Sequence, residues 1–275
     1  MRIDAHQHFW IYNKDEHVWM TDEHAAIKKS FLPNALSDPL SEEGFDGSVV
    51  VQARQSLDET EWLLSLAEEN EFIKGVVGWV DLCSDEVEKQ LQKYAKNSYF
   101  KGVRHVVHDE QDDRFMLRED FRKGISLLEH YQLTYDFLLF PKHLPIALEL
   151  VKEFPRQKFV LDHIGKPNIG EHLISPWKED LYNLAKHPNV YCKLSGMVTE
   201  ANKNWNYEDF IEYLDVVFDA FGPKRLMIGS DWPVSTLCGS YADVIGIVRR
   251  YIASLSDEDQ SLIEGNTCAA FYGIE

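Results

Sequence analysis

A single (β/α)8 barrel spanning residues 1–275 is the fold this sequence predicts. Three features predict it: eight short runs of β-branched and apolar residues, segments of helical periodicity between them, and no linker or composition break along the chain. Strands that alternate with helices pair in parallel through right-handed crossovers, and eight such units close into a barrel. A doubly wound sheet would carry a glycine-rich phosphate turn after an early strand, but Gly75 and Gly78 lie inside a strand pattern.

The strands are read in order at Arg2–His8, Gly47–Arg54, Lys74–Asp81, Phe100–Val106, Leu133–Leu139, Lys158–His163, Asn189–Leu194 and Arg225–Gly229. Trp62, Leu63, Leu66 and Ala67 make one helical stripe, and Val87, Leu91, Tyr94 and Ala95 another. Leu144, Leu148 and Val151 make a third, followed by Trp177, Leu181, Leu184 and Ala185, then Phe210, Leu214, Val217 and Phe218, then Tyr241, Val244, Ile245 and Val248. Start and stop signals agree: Ser56 stands three before Glu59, Ser175 precedes Pro176 at a first helical position, Asn206 caps the next helix and Gly265 follows the last stripe. The polar-aromatic segment Ile11–Pro39 is expected to form an elaborated loop and helix over the mouth after strand one.

The 275 residues include 46 acidic and 28 basic side chains, a formal charge of −18. That balance excludes a nucleic-acid partner, whose affinity comes from Lys and Arg neutralising phosphates. At 44% hydrophobic and 27% charged residues the chain can build a sizeable core. Charges stand in Met1–His6 where a leader would be apolar, and no apolar run approaches the ~18 residues of a membrane span. A cytoplasmic protein with no membrane partner is expected. Cys83, Cys192, Cys238 and Cys268 form neither a disulfide framework nor a metal knuckle and read as small buried hydrophobes. A homo-oligomer is compatible with the sequence, which does not set the oligomeric state.

Reactive groups of a barrel stand at the C-terminal ends of its strands. Strand one ends in His6-Gln7-His8, where the period of two puts both imidazoles on one side. Strand two ends in Gln52 and Arg54, strand four in Arg104-His105, strand six in Asp162-His163, strand seven in Lys193 and Ser195, and strand eight in Asp231-Trp232-Pro233. One strand-end histidine is ordinarily a satisfied hydrogen-bonding residue, and an H-x-H pair alone says little. Four His, two Arg, one Lys and two Asp at the same end of one sheet would be costly without a function. His17, His24, His130, His143, His172 and His187 fall in loops or helical segments and read as solvated, and His108 lies in an Asp-rich turn.

His6-Gln7-His8-Phe9-Trp10, Leu161-Asp162-His163-Ile164-Gly165-Lys166-Pro167, Lys193-Leu194-Ser195-Gly196 and Gly229-Ser230-Asp231-Trp232-Pro233 together resemble the amidohydrolase superfamily. More narrowly, they resemble its sugar-lactone hydrolase branch, typified by L-fuconolactone and L-rhamnonolactone hydrolases. Val51-Gln52-Ala53 with Glu59-Thr60-Glu61-Trp62-Leu63, Phe100-Lys101-Gly102-Val103-Arg104-His105, and Gly265-Asn266-Thr267 before Phe271-Tyr272-Gly273 extend the likeness over the chain. The resemblance implies a barrel hydrolase acting on a lactone ester, with the first-strand His pair, His163 and Asp231 at the reaction centre. Two-metal members carry a bridging Lys or Glu ending strand four and a His ending strand five. This chain has Arg104-His105 at the first position and Tyr135-Asp136-Phe137-Leu138-Leu139 at the second, which argues against a dinuclear site.

One divalent ion, suited to Zn²⁺, can sit on His6, His8 and Asp231, with His163 as a further donor. The charged Arg104 guanidinium can equally take over part of a metal's electrophilic role, so the ion is not expected to be essential. Asp231 is the expected base for an attacking water, with His6, His8, His163 and Arg104 orienting the carbonyl and stabilising its charge. A sugar lactone offers hydroxyls and one apolar face. Trp10, Trp79 and Trp232 are expected as aromatic platforms, although Trp79 equally suits core packing, and Gln52, Arg54, His105 and Lys193 as polar contacts. Lys193 and Ser195 also suit a structural pair. The rival readings are a metal-dependent hydrolase or decarboxylase acting on an aromatic or pyrone carboxylate, and a non-catalytic barrel that binds a sugar acid.

Overall fold

A computed structural model describes residues 1–275. Eight parallel strands lie side by side in chain order: β1 (Ile3–Gln7), β2 (Gly47–Val51), β3 (Ile73–Gly78), β4 (Phe100–His105), β5 (Thr134–Phe137), β6 (Phe159–Leu161), β7 (Val190–Leu194) and β8 (Leu226–Ile228). The circle closes at the mouth, where His6 O accepts Asp231 N–H at 2.8 Å and His8 N–H donates to Trp232 O at 2.7 Å. The predicted barrel is therefore observed. The helices are α1 (Pro33–Glu42), α2 (Leu57–Glu69), α3 (Val87–Tyr94), α4 (Glu119–Leu128), α5 (Leu144–Glu153), α6 (Trp177–Ala185), α7 (Glu208–Phe221), α8 (Tyr241–Ile252), α9 (Asp257–Ser261) and α10 (Thr267–Tyr272).

Capping follows the sequence at α2, where Ser56 Oγ accepts Glu59 N–H, and Asn206 Oδ1 accepts Glu208 N–H in the first turn of α7. All eight strands are shorter than predicted, β2, β5 and β6 the most. The Glu59 carboxylate takes the Ala53 and Arg54 N–H groups out of the β2 ladder, and after Leu161 the backbone turns left-handed at His163 and Ile164 (φ 55° and 49°). Residues 11–39 form a loop, a short 3₁₀ turn at Asp22–Ile27 and the beginning of α1, as expected.

The barrel's outer face packs on the helices in one large apolar cluster. Ile3, Ala5, Val49, Val51, Val77, Val160 and Met227 form a second cluster inside the barrel with Cys268, Phe271 and Tyr272 of α10. The floor is thus apolar, and polar inward-facing side chains concentrate above it. β1 carries a bulge: Ile3 and Asp4 pair with Gly47 and Ser48, but Gln7 pairs with Val50, so β1 has one extra residue. All four cysteines are free; Cys192 and Cys268 are buried, whereas Cys83 and Cys238 are only half-buried. No helix is long and apolar enough to cross a membrane.

Candidate active site

Four strand ends deliver the site. His6 and His8 come from β1, Arg104 from β4, His163 from the left-handed turn after β6, and Asp231 from the residues after β8, with φ 56°. His6 Nε2 and His8 Nε2 are 3.1 Å apart, and Asp231 Oδ1 lies 3.2 Å from His8 Nε2 and 3.8 Å from the Nε2 atoms of both His6 and His163. Two glycines make room for these rings. A Cβ on Gly229 would stand 2.8 Å from His6 Cβ, and one on Gly196, at φ +62°, would stand 2.4 Å from His163 Nδ1.

The outer nitrogen assigns the tautomer of His8. His8 Nδ1 faces Val51 O at 2.7 Å, and a carbonyl can only accept, so the proton is on Nδ1 and a lone pair on Nε2. His6 Nδ1 lies 3.3 Å from both Asp162 Oδ1, an acceptor, and Lys193 Nζ, a donor, and its Nε2 lies 3.4 Å from Arg104 Nη1. His163 Nδ1 meets the Ser195 hydroxyl at 2.9 Å, a group that donates or accepts, so either tautomer is open to it. Burial drives the His6 and His163 imidazoles well below their ordinary range, against Asp162 and Asp231 respectively, and both are neutral at pH 7. Burial also opposes the charge of Asp231, but His163, His8 and Lys166 outweigh it and hold the carboxyl below its usual value.

Imidazole nitrogens and a carboxylate converging on one point are the donor set of a cation. The donor atoms of His6, His163 and Asp231 lie within 4.8 Å of one another, and imidazole with carboxylate suits Zn²⁺. The residues fit one ion.

Beneath His6 is a buried charge cluster. Lys193 Nζ lies 2.6 Å from Asp136 and 3.0 Å from Asp162, and Tyr272 O–H donates to Asp136 at 2.7 Å. Those two carboxylates outweigh burial and raise the Lys193 pKa, so it stays charged. Arg104 donates to Asp162 at 3.1 Å and to Gln52 Oε1 at 2.9 Å, and also to Gln52 O. Its terminal nitrogens are thereby engaged, and its buried Nε–H has no partner.

Above the site is a cavity of about 870 Å³, lined by His8, Arg104, His163 and Asp231 at depth and by Trp10 and Arg54 higher up. The other residues predicted as substrate contacts do not line it. Gln52 is buried against Arg104, and Lys193 lies below His6. His105 has the opposite parity to Arg104 and sits outside the barrel, stacked on Phe115 and bonded to Glu110 and Trp79, which places Trp79 there too. Trp232 packs edge-on against Phe9 and Phe31. Ser195 pairs with His163 rather than with Lys193.

Other cavity residues escaped the sequence reading. Lys166, in a left-handed turn, and its ion-pair partner Glu200 line the wall with Glu16, Trp19 and His108. Lys166 was present in the Asp162–Pro167 motif; Glu200 carried no signal. His24 also lines the cavity, and His17 and His143, read as solvated, are buried. The His143 ring folds back to accept Phe140 N–H at 3.1 Å, and His17 Nδ1 meets Asn13 O at 3.0 Å.

The amidohydrolase family model matches residues 3–274. This chain belongs to the amidohydrolase family. It is 36% identical to an L-fucono-1,5-lactonase of Burkholderia multivorans, over 100% of this chain and 96% of the relative. It is 37% identical to an L-fucono-1,5-lactonase of Burkholderia ambifaria, over 88% of this chain and 83% of that protein. Among solved structures, a Burkholderia multivorans amidohydrolase with bound zinc superposes with a TM-score of 0.97 at 36% identity, over the whole of both chains.

Proposed function

We propose that this protein hydrolyses a neutral sugar lactone, L-fucono-1,5-lactone or a close relative, to the aldonic acid. The two lactonases at 36% and 37% identity support the reaction class. The charge balance of the cavity carries the choice of substrate. Arg54, Arg104, Lys166 and Lys203 face Glu16, Glu23, Asp109, Glu200 and Asp231, so the wall has no surplus of positive charge to hold a dicarboxylate. Arg54 is paired with Glu16 and Glu59, and Lys166 with Glu200. A binding-only barrel would have little use for an ionised Asp231 against neutral imidazoles.

Asp231 takes a proton from the water as oxygen attacks the ring carbonyl carbon, and a tetrahedral oxyanion forms. Collapse breaks the bond to the ring oxygen, and Asp231 returns the proton to the departing alkoxide. His163, with Ser195 donating to Nδ1, presents Nε2–H to the oxyanion, a contribution of about 3 kcal/mol. Arg104 works at one remove, holding Asp162 against His6. Zn²⁺ held by His6, His8 and Asp231 would polarise the carbonyl and acidify water when bound. Because Arg104's terminal nitrogens are engaged, it does not replace that ion, and activity is proposed to depend on it.

The test is a panel of L-fucono-, L-rhamnono-, L-galactono- and D-arabinono-lactones, with a pyrone dicarboxylate, assayed with and without EDTA. Turnover of one sugar lactone at about 1–10³ s⁻¹ is expected. Turnover of the dicarboxylate alone would overturn the reading.

A further inference from the structure

Behind the reaction centre, on the outer face of β1, is a polar cluster that packing does not explain. The bulge turns Asp4 toward α8 while His6 faces inward, and Asp4 is fully buried. Its Oδ1 accepts Ser230 N–H at 2.8 Å and His6 N–H at 3.1 Å; its Oδ2 accepts Ser230 O–H at 2.6 Å and Tyr241 O–H at 3.0 Å. Most strand positions facing the helices are apolar, as at Val50, Val76 and Val103, with Ser48 and His105 as polar exceptions. A buried carboxylate is expensive unless fully satisfied, and an apolar side chain would pack here at lower cost.

What the cluster encloses is the backbone of Asp231. Ser230 Oγ also accepts Trp232 N–H at 3.0 Å, and Asp231 N–H donates to His6 O at 2.8 Å. Asp231 is held between these anchors at φ 56°, a left-handed conformation that costs a residue with a Cβ about 1 kcal/mol or more and persists only where its surroundings impose it. None of Asp4, Ser230 and Tyr241 lines the cavity.

We propose that Asp4, acting through Ser230, is a positioning residue that imposes the left-handed conformation of Asp231 and so sets its carboxylate against His8 and His163. This rests on Asp231 being the carboxylate of the site, and the test reads metal binding separately from lactone turnover. Asp4→Asn and Ser230→Ala are made in the full chain, with Ser48→Ala as a control. Ser48→Ala removes another buried outer-face bond, to Gln7 (3.1 Å), away from the β8 turn. Zn²⁺ affinity of the metal-free proteins is measured by competition with a chromophoric chelator, alongside kcat, KM and Tm.

Asp4→Asn and Ser230→Ala are expected to weaken Zn²⁺ binding and lower kcat by about tenfold or more, with KM within about threefold, the size of effect seen when groups supporting a ligand are lost. Ser48→Ala is expected to lower Tm alone. Wild-type Zn²⁺ affinity and kcat in folded Asp4→Asn would overturn the proposal, as would an equal loss in Ser48→Ala. Should Ser230→Ala fail to fold, Asp4→Asn decides. Absence of wild-type lactonase activity would defeat the proposed function and leave the zinc comparison standing.

Discussion

The Nε2 atoms of His6 and His8 stand 3.1 Å apart, with Asp231 Oδ1 3.8 Å from the first and 3.2 Å from the second. Val51 O takes the His8 proton on the far side of the ring, which leaves the His8 Nε2 lone pair facing His6 and Asp231. Imidazole nitrogens and a carboxylate gathered this closely suit a cation. The protein is therefore expected to bind one Zn²⁺ per chain, to lose lactone turnover in EDTA and to recover it with one equivalent of metal; metal analysis and activity of the same samples check this. Full turnover in metal-free protein would count against it.

Asp231→Asn keeps the shape of the side chain and removes its basicity. Turnover is expected to fall by about 10²–10⁴-fold, the range for loss of a general base, with the far-ultraviolet spectrum unchanged. Near-normal kcat in the purified variant would show that another group takes the proton.

Gly196→Ala combines two penalties, a Cβ at φ +62° and a clash 2.4 Å from His163 Nδ1. The imidazole must move or the turn must open. Loss of more than about tenfold in kcat is expected, because donors at a reaction centre tolerate little displacement. A steady-state assay beside a thermal melt separates displacement of the ring from unfolding.

Lys193→Met would leave Asp136 and Asp162 facing each other without their cation. Removing one partner of a buried ion pair costs about 3–5 kcal/mol, so the urea midpoint should drop sharply. The double change Lys193→Met with Asp136→Asn should recover part of that loss.

Burial pushes Glu59 up to about 6 from an ordinary 4.5, against the Arg54 and Ala53 N–H groups and the Arg54 side chain, which lower it. The folded protein therefore holds this proton between pH 4.5 and 6 while the unfolded chain has released it. Stability from this group is full below pH 4.5 and falls as pH rises through 6, by about 2 kcal/mol. Urea titrations from pH 4.5 to 7 should show that slope, and Glu59→Gln should flatten it.

Periodicity made the eight strands legible, because alternation and β-branching are local properties. It failed at α4. Phe121, Ile125 and Leu128 carry the apolar stripe there, with Gly124, a residue unfavourable inside a helix, among them. The reason for that glycine is tertiary: a Cβ would stand 2.3 Å from Leu82 O.

At the site, residue types spoke more clearly than residue directions. Arg104 and His105 are adjacent and both polar, yet only Arg104 faces the interior. Lys193 ends a strand as Asp231 follows one, but it lies beneath His6 among buried carboxylates, since depth along a barrel depends on strand stagger, which no spacing encodes.

By itself the sequence determined the alternation of strands and helices and the chemical inventory at the strand ends, because both are written in short-range pattern and side-chain type. Only the tertiary structure decided which of those groups meet. A bulge in β1, left-handed turns at His163 and Asp231, and ring closure between β1 and β8 turn side chains far apart in the chain toward one point, and each depends on contacts across the barrel.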